Sequence, residues 1–285
     1  MKKEKILLAG ATGYLGGYIA KRLKEEGYSV RLIVRNKKKV NFNDQEFEVY
    51  EGQVTEPASI SKAFEGVDVV ISTVGITRQK DGLTYMDVDY QANVNLVDAA
   101  KVNGVRKFIY VSVFRGDQMR HLQICAAKER MVDYLKASDL KYCIIRPNGF
   151  FSDMGDFLDM AKGGRVYLFG DGKLKLNPIH GADLAKECVR MVATTDQELN
   201  IGGPEVLSQN EIARFALKAL AKQPKITHLP DWVRKMVLWF VRTFLSAKTY
   251  GPIEFFLSAM VMDMVAPQYG THKLEDYFLA KAKVE

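Results

Sequence analysis

Short apolar runs alternate with amphipathic stretches over the first 146 residues. Residues 6–9, 30–34, 47–50, 67–72, 108–113 and 142–145 are dense in apolar side chains and carry at most one charge each, which predicts strands buried on both faces. The stretches 14–26, 60–64, 89–102 and 126–137 between them predict helices. In the first, Ile19 and Leu23 share a face and Gly27 lies just beyond the end; in the third, Val94, Leu96, Val97 and Ala100 are placed for burial. Such strands need crossover helices, and right-handed crossovers lead to an α/β fold: a Rossmann-type doubly wound parallel sheet with helices on both faces. Beyond Arg146-Pro147 the pattern loosens. Strands are expected over 166–169 and 175–179, helices over 182–192 and 211–221, and a long helical tail over 231–265. The expected organisation is a nucleotide-binding domain at 1–150 and a smaller, mostly helical substrate-side lobe at 151–285 packed on it, with 174–200 returning to the first core.

The junction of the first strand and first helix reads Gly10-Ala11-Thr12-Gly13-Tyr14-Leu15-Gly16. The first glycine permits a tight turn, the second lets backbone approach a pyrophosphate, and the third lets helix and strand pack closely. The open N–H groups and positive end of the helix then face the phosphates. Gly10, Thr12, Gly13, Tyr14, Leu15 and Gly16 are therefore the expected dinucleotide turn. An NAD site would carry an acidic residue about 20 residues further on. Here the second strand ends in Arg35 and Asn36, followed by Lys37, Lys38 and Lys39, and no carboxylate is expected there. Guanidinium pairs bidentately with phosphate, so Arg35, Asn36, Lys38 and Lys39 predict NADP(H) in preference to NAD(H).

Composition narrows the classes. The chain is 47% hydrophobic and 26% charged, as a soluble globular protein is, and its net charge of +7 is too small and too dispersed to argue for nucleic acid. The odd set Cys125, Cys143 and Cys188 has no C-x-x-C spacing, which argues against a disulfide framework or a zinc site and for a reducing, cytoplasmic setting. The N-terminal apolar run is too short for a signal peptide.

With the glycine turn, the arrangement Lys128, Ser138 and Ile145-Arg146-Pro147 resembles the atypical, NmrA-like short-chain dehydrogenase/reductases. The stretches 169–173, 177–179, 182–185, 201–204 and 274–278 are similar to the group that includes divinyl chlorophyllide 8-vinyl reductases and their non-photosynthetic relatives. The resemblance implies that Thr73, Val74 and Gly75 pass beside the cofactor ribose. It also implies that Gln53 and Val54 lie against the adenine, and that Pro147, Asn148 and Phe150 border the nicotinamide. Typical members pair a lysine with a tyrosine four residues earlier. Lys128 is present, but Ile124 stands in the tyrosine's place. Relatives without that tyrosine transfer hydride to an activated C=C bond, so the resemblance implies an NADPH-dependent reductase of a conjugated C=C (or C=O) bond in a bulky apolar substrate, a tetrapyrrole vinyl group being one candidate. Lys128 would orient the ribose, and Ser112, ending the fifth strand, could face the substrate. A non-catalytic NADP(H)-binding redox sensor or assembly factor is the alternative, and the missing tyrosine suits it equally. His121, His180, Tyr85 and Tyr90 are further candidates without a selecting pattern.

In the tail, Trp232, Met236, Trp239, Phe240 and Phe244 crowd one helical region beside Arg234, Lys235 and Arg242. Those charges exclude a spanning helix. Three readings remain: core, an apolar lid over substrate, or peripheral membrane contact through 232–265.

Overall fold

A computed structural model describes residues 4–39, 46–76, 82–223, 225–245 and 247–283. Strands β1 (Lys5–Ala9), β2 (Ser29–Val34), β3 (Glu48–Glu51), β4 (Val69–Ser72), β5 (Lys107–Val111) and β6 (Lys141–Pro147) alternate with helices α1 (Tyr14–Glu25), α2 (Pro57–Ile60), α3 (Ala92–Val102) and α4 (Gln123–Lys136). A single π-helical turn, Met86–Gln91, leads into α3. Beyond Pro147 follow α5 (Gly155–Lys162), β7 (Val166–Phe169), β8 (Lys175–Leu176), α6 (Gly181–Arg190), β9 (Glu198–Ile201) and β10 (Leu207–Ser208). Then come α7 (Gln209–Ala219), β11 (Ile226–Leu229), α8 (Asp231–Phe244), α9 (Ala247–Ala259) and α10 (Leu274–Ala282).

Seven strands form one sheet in the order β3-β2-β1-β4-β5-β6-β9. The pairs from β3 through β6 are parallel. The chain winds outward from β1 to β3, then returns to place β4 on the other side of β1. That reversal is the switch point where open α/β sheets leave a crevice beyond the strands' carboxyl ends. Both faces are covered, and β4 and β5 are buried along their whole length. The doubly wound sheet is the architecture that the alternating pattern predicts.

Two compact units divide the chain: Met1–Arg146 with Leu184–Leu199, and Pro147–Asp183 with Asn200–Glu285. Lys107 ties the returning segment into the first unit. Its buried ammonium donates to the carbonyls of Met191 (2.6 Å) and Thr194 (2.7 Å). A second tie is the buried pair Glu129–Arg146. Arg146 donates through Nη1 and Nη2 to Glu129 (2.5 and 2.9 Å) and through Nε to Glu198 (2.5 Å). The second unit has its own core, with Phe151, Phe157, Leu168, Ile212, Leu217 and Phe278 from α5, β7, α7, α10 and the loop before α5. Its polar centre is Asn177. The side-chain oxygen accepts from Asn148 Nδ2 (2.7 Å) and the Ala266 amide (2.9 Å), and Nδ2 donates to the carbonyls of Gly203 (3.1 Å) and Ala266 (2.9 Å). Nearby, Asp183 accepts from the backbone N–H groups of Thr271 and His272 (3.0 Å each) and from His272 Nδ1 (2.9 Å).

Two outcomes follow. Removing Glu129 leaves the buried Arg146 with the Glu198 carboxylate and two N–H groups unpaired, so Glu129→Ala should lose about 2–4 kcal/mol of stability, read from the urea midpoint. Burial alone would raise the Asp183 carboxyl, but the hydrogen bonds from His272 and Thr271 outweigh it and hold it below its ordinary value. A lowered carboxylate stabilises above its unfolded value, near pH 3.9, and that contribution is lost as pH falls through the lower folded value. Asp183→Asn should therefore be about 1–3 kcal/mol less stable than wild type at pH 7. The difference should shrink below about pH 4, as followed by thermal melts across pH.

Candidate functional site

The glycine turn follows β1 directly. Gly10 has φ +91°, a left-handed conformation that side chains disfavour, and a Cβ there would lie 2.4 Å from Thr73 Oγ1. At Gly16 a Cβ would meet the Gly10 carbonyl oxygen at 2.1 Å, so the third glycine is what allows α1 to cross so close to the turn. Gly13 caps α1 without any side chain on the first N–H groups, and no acidic residue occupies the first turn. The helix start therefore keeps open N–H groups and its positive end, which is the chemistry a pyrophosphate needs. Thr12 and Gly13 are exposed, Tyr14 is half-buried against Tyr18, and Leu15 is buried in the core.

Arg35, Asn36 and Lys38 are exposed just past β2, where Asn36 Oδ1 accepts from the Lys38 amide (2.8 Å). The Lys39 side chain lies outside the described residues. One expectation is corrected here. A carboxylate is near, because register pairs Val34 with Glu51, and Glu51 accepts from the Lys37 amide (3.1 Å). It comes from the neighbouring strand β3, which a scan along β2 cannot see. Gln53 is exposed and bonds Glu56 through Nε2 (3.1 Å). The Val54 carbonyl accepts from Asn95 Nδ2 of α3 (2.9 Å).

The loop after β4 is fixed by a buried asparagine the sequence reading did not single out. Asn93 Oδ1 accepts from Ser72 Oγ (2.6 Å), and its Nδ2 donates to the carbonyls of Val74, Val88 and Asp89 (3.2, 3.2 and 3.0 Å). Thr73 Oγ1 donates back to the Ala9 carbonyl (3.2 Å), which ties this loop to β1. Beside it lies a second unexpected residue, Asp89, fully buried. Its Oδ2 accepts from the Ile76 amide (3.2 Å), and its Oδ1 meets the Lys128 ammonium at 2.9 Å as an ion pair without a well-directed hydrogen bond. At Gly75, itself exposed, a Cβ would stand 2.6 Å from Asp89 Oδ1 and 2.9 Å from Lys128 Nζ. The missing side chain lets the loop backbone pack directly against the Asp89–Lys128 pair.

Complete burial lifts the Asp89 carboxyl above its ordinary value despite the ammonium beside it. Burial opposes the Lys128 charge too, yet Asp89, with Tyr110 behind it, holds Lys128 above its usual range. Lys128 is thus a fixed cation. Tyr110 cannot replace the missing tyrosine, since burial pushes its phenol well up and it donates to the Asp89 carbonyl (3.4 Å). Ile124 is buried in α4. Ser112 Oγ donates to Glu129 Oε1 (3.0 Å), so its proton is committed to the Glu129–Arg146 pair. His121 is exposed, Tyr85 is buried, and Tyr90 lies under the Arg130 guanidinium (4.6 Å).

Pro147, Asn148 and Phe150 belong to the second unit. There Pro147 is buried, Phe150 is half-buried, and Asn148 Nδ2 donates to Asn177 Oδ1 and to the Met264 carbonyl. His180 Nδ1 accepts from the Ala182 amide (3.3 Å), and its ring stacks on His272 at 4.2 Å. Cys125, Cys143 and Cys188 are free and buried, and burial raises the Cys143 thiol to about 11.

Comparison with known proteins agrees with this geometry. A family model described as NAD(P)H-binding matches residues 10–195. The chloroplastic divinyl chlorophyllide a 8-vinyl-reductase of Arabidopsis thaliana is 30% identical, across 97% of this chain and 76% of its own. The photosystem II assembly factor Ycf39 of Guillardia theta is 28% identical, across 79% of this chain and 73% of its own. The NADPH-dependent quinone oxidoreductase QOR2 of Escherichia coli, solved with NADPH, has the same fold, with a TM-score of 0.77 at 17% identity and coverage of 97% and 99%. With its glycine turn, its strand-order reversal beside β1 and these relatives, the chain belongs to the NAD(P)H-binding family and has a reductase-like fold.

Proposed function

We propose that the chain is an NADPH-dependent reductase that delivers hydride to a conjugated C=C bond of a bulky apolar substrate. The carrying observation is the Lys128–Asp89 pair set beside Gly75 at the carboxyl end of β4. The residues fit the cofactor. The bare N-terminus of α1 receives the pyrophosphate, Arg35 with Asn36, Lys38 and Lys39 takes the 2′-phosphate, and Gln53 and Val54 flank the adenine. Thr73, Val74 and Gly75 line the ribose path. Bound NADPH would supply the hydride. Lys128, held charged and immobile by Asp89, orients a ribose hydroxyl and offers positive charge toward the anion that develops in the substrate. Ser112, its proton directed to Glu129, is left as an acceptor at the substrate side. A relative named as a vinyl reductase over nearly the whole chain favours a tetrapyrrole vinyl group as the first substrate to try.

One observation favours a second reading. Ile124 replaces the acid, and the nearest phenol, Tyr110, keeps its proton, as a non-catalytic NADP(H)-binding assembly factor would allow. The Ycf39 likeness fits that reading too. NADPH oxidation in the presence of a divinyl tetrapyrrole separates the two. Steady turnover supports the reductase, and tight NADPH binding without oxidation supports the binding protein.

Two variants test the residues. Arg35→Asp should weaken NADPH about 10- to 100-fold and leave NADH within about twofold, measured by titration calorimetry; equal NADPH affinity would overturn the assignment. Lys128→Met should lower kcat about 100-fold with a smaller change in NADPH affinity, and Asp89→Asn should fall in the same direction because Lys128 loses its anchor. Unchanged kcat in either would remove the pair from the mechanism.

A further inference from the structure

Helix α8 buries little of its apolar surface. Polar pairs help hold it to its neighbour α9. Arg242 bonds Glu254 of α9 through Nε (2.7 Å) and Nη2 (2.5 Å), and Arg234 pairs with Asp231 (2.6 Å) and reaches the Leu257 carbonyl (3.5 Å). Of its large apolar residues only Leu238 and Val241 are buried. Trp232, Met236, Trp239, Phe240 and Phe244 recur three to four residues apart and so share one helical face, and each is more than half exposed. The core reading of the tail is thus corrected for these five side chains. Water is a poor solvent for such a stripe, and a soluble surface helix would present the opposite pattern.

We propose that this face seats α8 in the interfacial layer of an anionic lipid bilayer. Charge selects that occupant. Between Lys222 and Glu254 the sequence holds six Lys or Arg against two acids, a net +4 of the whole chain's +7, even with Arg234 and Lys235 paired to Asp231 and Arg242 to Glu254. Lys222, Lys225 and Lys235 are exposed. Two copies of so basic a segment would repel each other across a two-fold contact, whereas anionic headgroups attract it. Tryptophan favours the headgroup boundary, where its ring is buried and its N–H stays wet. With 14 residues, α8 is about 21 Å long and lies in the plane. None of the described helices is long and apolar enough to cross a membrane. The inference does not rest on the reductase reading.

The chain's two tryptophans both sit on this face, so emission excited selectively from tryptophan reports on it alone. The full chain would be mixed with phosphatidylcholine vesicles containing about 30% phosphatidylglycerol, and with pure phosphatidylcholine vesicles. Emission should shift to the blue and the protein should float with the anionic vesicles, with both effects lost at about 0.5 M salt. Trp232→Ser with Trp239→Ser should weaken flotation at least about tenfold, and Lys222→Gln, Lys225→Gln and Lys235→Gln about fivefold each, with NADPH affinity and circular dichroism unchanged. No flotation at low salt overturns the proposal. So does equal flotation of the tryptophan variant, equal binding to pure phosphatidylcholine, or a concentration-dependent dimer that the tryptophan variant abolishes.

Discussion

The site depends on Asn93, a polar side chain with no access to water. Buried amide groups must find partners within the protein or destabilise the fold. Asn93 finds them in Ser72 and in the carbonyls of Val74, Val88 and Asp89. Those bonds join the carboxyl end of β4 to the helical turn that precedes α3. Once they are made, Gly75 and Asp89 have fixed positions, and Lys128 of α4 has a fixed anion to meet. A chain of local satisfactions thus sets a cation at the crevice beside the switch point. Every partner in it is a protein group, and fixed charges of this kind are what favour transition-state electrostatics.

The fold was legible because its signal is local. Apolar runs of four to six residues and a glycine turn of seven residues each lie within one window of sequence. The chemistry was legible only in part. Lys128 stood out by spacing, but its partner is 39 positions earlier, and Asp89 looked like the polar start of a helix. A signal was available. Asp89 and Asn93 are four apart, hence on one helical face, and the next turns of that face carry Leu96 and Ala100, both buried. Two short polar residues on an otherwise buried stripe mark an internal network. Glu51 was missed for another reason: strand register, which brings it beside Val34, is a property of the sheet and not of either strand.

Several stretches that carried the family resemblance turn out to hold the second unit together. Asn177 bonds Asn148 and the backbone at Gly203 and Ala266, and a Cβ at Gly202 would stand 2.3 Å from its amide. Asp183 clasps the 271–272 backbone, and Gly270, at φ +84°, lies so close that a Cβ would meet the Asp183 carboxylate at 2.2 Å. Such residues identify the architecture. They do not identify the reaction, since buried hydrogen-bond centres serve any chemistry performed on the same frame.

Ile124 gives the proposed reaction its physical logic. A carbonyl reduction places full negative charge on one oxygen, and an acid of matched pKa must stand ready for it. Hydride addition to a conjugated C=C bond spreads the charge over the π-system, so a fixed cation stabilises the anion and protonation can follow from water. The buried Ile124 side chain removes the matched acid, burial keeps the proton on Tyr110, and Asp89 keeps the charge on Lys128. The first two weaken carbonyl reduction, which needs the acid, while the third supplies the charge that hydride addition to a conjugated bond needs. The same inventory suits a protein that binds NADPH without turning it over, and the difference between the two lies in whether a conjugated molecule is brought within reach of the bound nicotinamide.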